Sequence, residues 1–344
     1  MSAVFEQLTD VVAAGRDLSR AQSADAFSEI MQGGLPDDRI AAFLAALADK
    51  GETVDEIVGA ARVMRRHATP IKCEDSNAVD TCGTGGDGIS TFNVSTAAAI
   101  VAAAAGARVA KHGNRTNTRK SGSAEALAAL GVNIEAPPHV VEESIREVGI
   151  GFLFAAQLHP AMKHAAPARK ILARRTIFNI LGPLTNPAGV RRQIVGVPRP
   201  DLLDMIAGAL RELGTVRALV VNGEDGLCDF TVTGRSRYVE LLDGELRDGT
   251  CCPEDVGLHR GEQEALCVDS PAESAAVIRA VLSGAPGAPR DHTLLNAAAA
   301  LVTAGTTPTF RDGVDKAARA IDSGAAQRTL DELVRITQAG GRDA

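Results

Sequence analysis

The stretch Asp80-Thr81-Cys82-Gly83-Thr84-Gly85-Gly86-Asp87-Gly88 decides the fold. It follows Ala78-Val79, a short apolar run that reads as the end of a buried strand, and leads through Asn93-Val94-Ser95-Thr96 into an alanine-rich helix ending near Gly106. Strand, glycine loop and helix N-terminus in that order turn several backbone N–H groups toward one concavity, where the helix dipole favours an anion. Four glycines within six residues let a phosphate approach the main chain, and polar Asn93, Ser95 and Thr96 stand at the helix start. A tight strand-to-helix turn without a ligand is the plainer reading of one such loop taken alone.

A second stretch, Lys111-His112-Gly113-Asn114-Arg115, tips the balance toward a ligand. Arg108-Val109-Ala110 reads as the next strand, so Lys111 and His112 are expected to emerge at its C-terminal end, the edge where open parallel sheets bind ligands. Lys120-Ser121-Gly122-Ser123-Ala124-Glu125 then adds a cation, two hydroxyls and a helix start at Ser123. Alone, His112 reads as a hydrogen-bonded structural histidine and Lys120 as a solvated charge; behind a glycine loop, both are expected to touch ligand. The two loops would face one crevice shaped for a polyphosphate.

Outward from this centre the pattern changes. Residues 1–72 read as a small helical domain of four short helices. Ser19-Arg20-Ala21-Gln22 and Thr53-Val54-Asp55-Glu56 fit the capping box, Pro36 fits a first helical residue, and Ile40, Phe43, Leu44 and Leu47 form one apolar stripe. From about residue 73, strands alternate with helices, with candidate strands at Val79 to Cys82, Arg108 to Ala110, Ile150 to Phe154, Gln193 to Val197 and Val216 to Asn222. The expected fold is α/β: a small N-terminal helical domain plus a large α/β domain over 73–159 and 183–344, with a central, mainly parallel sheet flanked by helices. Leu294 to Val302 and Ala317 to Ile321 read as scaffold helices.

Composition excludes several function classes. With 344 residues, 45% of them hydrophobic, the chain can fill a sizeable core. Its 36 basic and 43 acidic residues give a net charge of −7, no footprint for nucleic acid, so anionic substrates must be drawn by local sites. Cys73, Cys82, Cys228, Cys251, Cys252 and Cys267 lack metal-ligand spacing and read as free thiols of a cytoplasmic protein. No apolar run approaches a membrane span, and no signal pattern opens the chain.

The glycine loop, Asn93-Val94-Ser95-Thr96, Lys111 to Arg115, and Lys120-Ser121-Gly122-Ser123-Ala124 together resemble the anthranilate phosphoribosyltransferase family. A longer run, His159-Pro160-Ala161-Met162-Lys163-His164 through Arg169 to Arg175-Thr176-Ile177-Phe178-Asn179-Ile180-Leu181-Gly182-Pro183-Leu184-Thr185-Asn186-Pro187, is similarly family-like, and the likeness covers about residues 5 to 335. The resemblance implies transfer of ribose 5-phosphate from phosphoribosyl pyrophosphate to the amine of anthranilate, with release of pyrophosphate, in tryptophan biosynthesis. It implies that Gly83, Gly86, Asp87, Thr91, Asn93, Val94, Ser95, Thr96, Lys111 and Ser123 contact phosphoribosyl pyrophosphate. Gly83, His112, Asn114 and Arg169 fall on the anthranilate side, where a guanidinium can grip a carboxylate bidentately as lysine could not. It further implies Mg2+ at Ser95 and Asp229, a segment of about 160–182 that returns to the helical domain, and a homodimer through that domain; packing within one chain is the alternative for the same apolar faces. No general base is assigned, because an aromatic amine can attack a cation-like carbon before losing its proton.

The chain departs from the family pattern where it is chemically costly. Family members follow a Gly-Leu with an Asp-Glu pair that holds magnesium; here Gly226-Leu227 precedes Cys228-Asp229. A thiol is a poor ligand for magnesium, so the second metal site is expected to be weak or absent. Glu224 and Asp225 lie nearby on the preceding loop. Thr116-Asn117-Thr118-Arg119 replaces a run of small hydroxyl residues, and Arg119 reads as either a phosphate contact or an exposed charge. Phe154-Ala155-Ala156-Gln157-Leu158 lacks the proline and polar or aromatic residues often found there, which bears on acceptor choice. Besides the leading reading, two others fit: the same scaffold with another aromatic amine or with nucleoside phosphorylase chemistry, and a noncatalytic binding protein, suggested by Cys228.

Overall fold

Short apolar runs buried on both faces make poor surface strands and good central ones, and they build the middle of this molecule. The computed structural model describes residues 3–116 and 119–340; Asn117 and Thr118 of the replaced hydroxyl run lie outside them. Strands β1 (Val79–Gly83), β2 (Val109–Gly113), β3 (Ile150–Phe154), β4 (Arg192–Gly196), β5 (Arg217–Gly223), β6 (Ser236–Leu242) and β7 (Glu245–Cys251) form one sheet in the order β3-β2-β1-β4-β5-β6-β7. The first five in that order run parallel, with Cys82 opposite Val195 and Lys111 opposite Phe152. The last two are an antiparallel hairpin that was not foreseen.

Strand β2 begins later than expected and runs on through Gly113, so Lys111 and His112 lie inside it rather than past its end. Parallel pairing with β3 down to Gly113 and Phe154 supplies the bonds that extend it.

The helical lobe consists of α1 (Ala3–Ala13), α2 (Arg20–Gln32), α3 (Asp37–Lys50) and α4 (Val54–His67). Both capping boxes close, at Ser19 with Gln22 and at Thr53 with Glu56. Pro36 sits one residue earlier than expected, as the cap before α3, in extended conformation at ψ 140°. Glu56 is wholly buried, and its carboxylate accepts from the backbone N–H of Leu18 and Thr53 and pairs with Lys50. Those charge-assisted bonds tie the α1–α2 connection to the start of α4.

Residues of the 160–182 segment pack against the helical lobe. Ala165, Ala168, Ile177, Phe178, Ile180 and Leu181 share a core with Phe27, Phe43 and Leu44, and Phe27 meets the Phe178 ring edge-on at 5.6 Å. The same core continues onto one face of the sheet through Val195, Val220 and Leu241. The opposite face is covered by α5 (Val94–Ala104) and by helices Pro271–Leu282, Ala288–Thr303, Phe310–Asp322 and Ala325–Ala339. The two expected scaffold helices are the second and third of these.

Candidate active site

All five parallel strands end on one edge, and a cleft of about 320 Å³ opens there. Its first wall is Gly83 to Gly86 with Asn93 and Ser95; its second is Lys111 to Thr116 with Arg119 and Ser121 to Ser123. Cys228 and Asp229 close the third side, and Arg169, Phe178, Asn179, Gly182 and Pro183 form the end nearest the helical lobe.

Backbone geometry explains the glycines. Gly85, Gly86 and Gly88 stand at φ +63°, +89° and +73°, values that ordinary side chains rarely adopt. The Asn93 side chain caps α5 by accepting from the Thr96 N–H at 3.1 Å, which fixes the helix N-terminus against the loop. Gly196, at the end of β4, faces Cys228 so closely that a Cβ would lie 1.6 Å from the Cys228 carbonyl oxygen. The two loops that carry Gly83 and Asp229 thus rest on main-chain contact.

Lys111 is almost fully buried, with Nζ donating to the Thr81 carbonyl and, at 3.1 Å, to Ser95 Oγ. Burial lowers its pKa, while the Asp80 carboxylate pulls the other way. Asp80 has its own pKa raised by burial; it accepts from the His112 N–H at 2.9 Å and from Asn186 Nδ2 at 2.8 Å. A buried cation supported by one carboxylate and two oxygens is a fixed positive charge at the cleft wall.

His112 and His159 lie with their Nε2 atoms 3.2 Å apart, and His112 Nδ1 is 3.1 Å from the Gly182 carbonyl. That carbonyl only accepts, so Nδ1 carries the proton and His159 donates to the Nε2 lone pair of His112. Burial pushes His112 down to about 3 and His159 to about 4, which keeps both rings neutral. His112 therefore lines the cleft without a free lone pair, and it is unsuited to act as a base.

Arg169 and Asn114 both line the cleft, and the Arg169 guanidinium stacks 5.5 Å from the Phe178 ring centre. Burial lowers the Arg169 pKa and leaves its donors less hydrated, ready for a carboxylate. Asp229 is pushed up to about 6 by burial against the pull of Arg119 and Lys111, so it is ionised at neutral pH. Cys228 is pushed up to about 12 by burial, so its thiol stays protonated. Asp225 turns away to the hydroxyls of Thr231 and Thr233, each at 2.5 Å, and Glu224 lies 4.0 Å from Arg235.

The cleft thus gathers Gly83, Gly86, Asn93, Ser95, Lys111, His112, Asn114, Ser123, Arg169 and Asp229. Four expected phosphate contacts do not line it. Thr91, Val94 and Thr96 are buried, and their N–H groups go to Ile89, Phe92 and Asn93 within the loop and helix start. Asp87 is turned inward, where its carboxylate takes both Nε and Nη2 of Arg119 and the N–H of Cys228. Arg119 is accordingly neither a bare phosphate contact nor an exposed charge, but half of a buried ion pair at the cleft wall. Lys120 is exposed and off the cleft, and its N–H donates to Ser90 Oγ at 3.1 Å. Phe178 and Asn179, which line the cleft, and His159, which bonds His112, were visible in the sequence as members of a long motif, but nothing local to them announced those places.

Comparison with known proteins agrees with this geometry. The model of the glycosyl transferase family a/b domain matches residues 75–327, and that of its helical bundle domain matches residues 6–68. An anthranilate phosphoribosyltransferase of Anaeromyxobacter sp. (strain K) is 51% identical over 97% of this chain and 99% of its own length. One from Desulfatibacillum aliphaticivorans is 47% identical over 98% of this chain and all of its own. The crystal structure of the enzyme from Thermus thermophilus superposes with a TM-score of 0.91 at 42% identity, covering 96% of this chain and 99% of that one. The Saccharomyces cerevisiae enzyme in complex with phosphoribosyl pyrophosphate and Mg superposes at 0.90 with 28% identity, over 98% and 99%. With likeness of this depth along nearly its whole length, the chain belongs to the anthranilate phosphoribosyltransferase family.

Proposed function

We infer that this chain transfers the 5-phosphoribosyl group from phosphoribosyl pyrophosphate to the amine of anthranilate, releasing pyrophosphate, the second step from chorismate in tryptophan biosynthesis. The observation that carries the reading is one cleft with a phosphate wall, Gly83 to Gly86 with Lys111, and a carboxylate-binding end at Arg169. In this reading Gly83, Gly86, Asn93, Ser95, Lys111 and Ser123 hold the phosphorylated sugar. The buried Lys111 cation and the main-chain donors of the glycine loop oppose the charge that grows on the departing pyrophosphate. Arg169 grips the anthranilate carboxylate, and Phe178 and Asn114 orient its ring, which brings the amine to the sugar carbon. Neutral His112, bound on both nitrogens, shapes the acceptor floor and takes no proton.

The residues fit one magnesium ion and not two. No described residue donates a hydrogen bond to the Asp229 carboxylate, whose oxygens are the hard ligands such an ion prefers. Ser95 Oγ accepts from Lys111, stands 3.3 Å from Asn93 Oδ1, and keeps one lone pair for a metal. Held by Asp229, Ser95 and substrate oxygens, magnesium would neutralise pyrophosphate charge. The protonated Cys228 thiol leaves the second position without a ligand.

The reading includes a small lobe, residues 1–72 completed by about 160–182, and a large one, 73–159 with 183–344. It also includes a homodimer through the small lobe: the large hydrophobic side chains left exposed among the described residues, Val4 and Ile171, both belong to it. A cytoplasmic setting suits the six free thiols. Among the described residues, no helix is long and apolar enough to cross a membrane. Calorimetric titration of phosphoribosyl pyrophosphate in the presence of magnesium tests the reading: saturable heat is expected, and no heat at any metal level would refute it. Sedimentation equilibrium tests the dimer.

A further inference from the structure

We propose that Arg119 is a fixed cation for the pyrophosphate leaving group, standing at the position where the second magnesium ion has lost its ligand. The proposal rests on the phosphoribosyl-transfer reading of the cleft. Arg119 lies between Asp87 of the glycine loop and Cys228, and it lines the cleft. Behind it the Asp87 carboxylate is 0% exposed, while the guanidinium side chain keeps 13% of its surface open. The cationic end of this pair therefore faces the cleft, and the anionic end does not. Nε and Nη2 each give one N–H to Asp87, which leaves three of the five guanidinium donors for other partners.

The residue at 228 decides whether that charge is available. Cys228 packs beside Arg119 and sends its own N–H to the same Asp87 carboxylate at 3.3 Å. A carboxylate side chain at 228 would claim the remaining guanidinium donors and cancel their charge. The protonated thiol takes a hydrogen bond from the guanidinium but carries no charge to cancel it, so Arg119 and Cys228 act as a matched pair: the position that cannot hold a divalent ion stands next to one that carries a permanent positive charge. A guanidinium also suits phosphate oxygens, which its planar fork can take two at a time.

The consequence is binding of pyrophosphate without metal. Inorganic pyrophosphate titrated calorimetrically into the full chain in EDTA is expected to bind. Arg119→Ala should weaken that binding at least tenfold. Because Arg119→Ala strands a buried carboxylate, the double variant Asp87→Asn, Arg119→Gln is the control that removes both charges together; it should bind as weakly as Arg119→Ala. Metal-free binding by the folded double variant equal to that of the wild type would reduce the pair to a structural strut and overturn the proposal. So would a wild type that takes up phosphoribosyl pyrophosphate with magnesium but no pyrophosphate in EDTA. A wild type that binds phosphoribosyl pyrophosphate under neither condition would instead overturn the underlying reading of the cleft.

Discussion

The two halves of the cleft are built by different means. The half proposed for phosphate is largely main chain on a sheet edge, backed by the Lys111 cation: the positive-φ glycines, the capped start of α5, and a Gly196 that touches the Cys228 carbonyl. The half proposed for the acceptor is side chains, Arg169 and Phe178, lent by a segment whose Ala165, Ala168, Ile177 and Leu181 sit in the core of the helical lobe. In the proposed reading the phosphate is gripped by glycine main chain of strained conformation together with the buried Lys111, whereas acceptor choice rests on side chains that substitution can change. Strain should therefore damage the first half severely, and single side-chain replacements should retune the second.

The largest effect is expected at Gly196→Ala. The added Cβ would meet the Cys228 carbonyl at 1.6 Å, so the backbone carrying Asp229 must move. Displacement of order 1 Å costs about 100-fold in rate. Steady-state kcat/KM should fall by that factor or more, while anthranilate binding, followed by its fluorescence, changes little. Arg169→Lys comes next and should invert that pattern: the lost bidentate grip is worth about 1.5–3 kcal/mol, so KM for anthranilate rises roughly 10- to 100-fold with phosphoribosyl pyrophosphate affinity unaltered. Equal effects of the two variants on both substrates would erase the division of labour.

Cys228→Asp sharpens the phosphate half. A hard ligand returns, so magnesium affinity or activity should rise severalfold. No change in either quantity would contradict this account of the missing ligand. The smallest effect lies outside the cleft. His292 is wholly buried with neither ring nitrogen bonded among the described residues, and burial pushes it from 6.5 down to about 4. Between those values the unfolded chain binds the extra proton, so the stability tied to His292 is complete above about pH 6.5 and is lost as pH falls toward 4. His292→Leu should change thermal stability little at pH 7 and flatten its acid slope by up to about 1.4 kcal/mol per pH unit.

Local chemistry made the five parallel strands and both capping boxes legible, because apolar runs and capping residues act over a few positions. The hairpin β6–β7 was missed although its turn was written in Asp243-Gly244, which adopt φ 50° and 88° as a two-residue hairpin requires. Its strands, Ser236–Leu242 and Glu245–Cys251, are half polar and lie at the sheet edge, so no continuous apolar run marked them. In the site, the glycine loop announced itself by its residue types, whereas Arg169 stood out only through the family resemblance, because a lone arginine on a helix says little. Asp87 was not, since the decisive fact is an ion pair with Arg119 formed where two loops meet. The burial of Thr91, Val94 and Thr96 follows from how α5 and its loop turn toward the core, which spacing alone leaves open.

Anthranilate fluorescence, followed after phosphoribosyl pyrophosphate and magnesium are added to the purified chain, tests the central claim most directly. The signal should decay while pyrophosphate appears mole for mole. A steady signal from folded protein at saturating substrates and metal would contradict catalysis by this cleft.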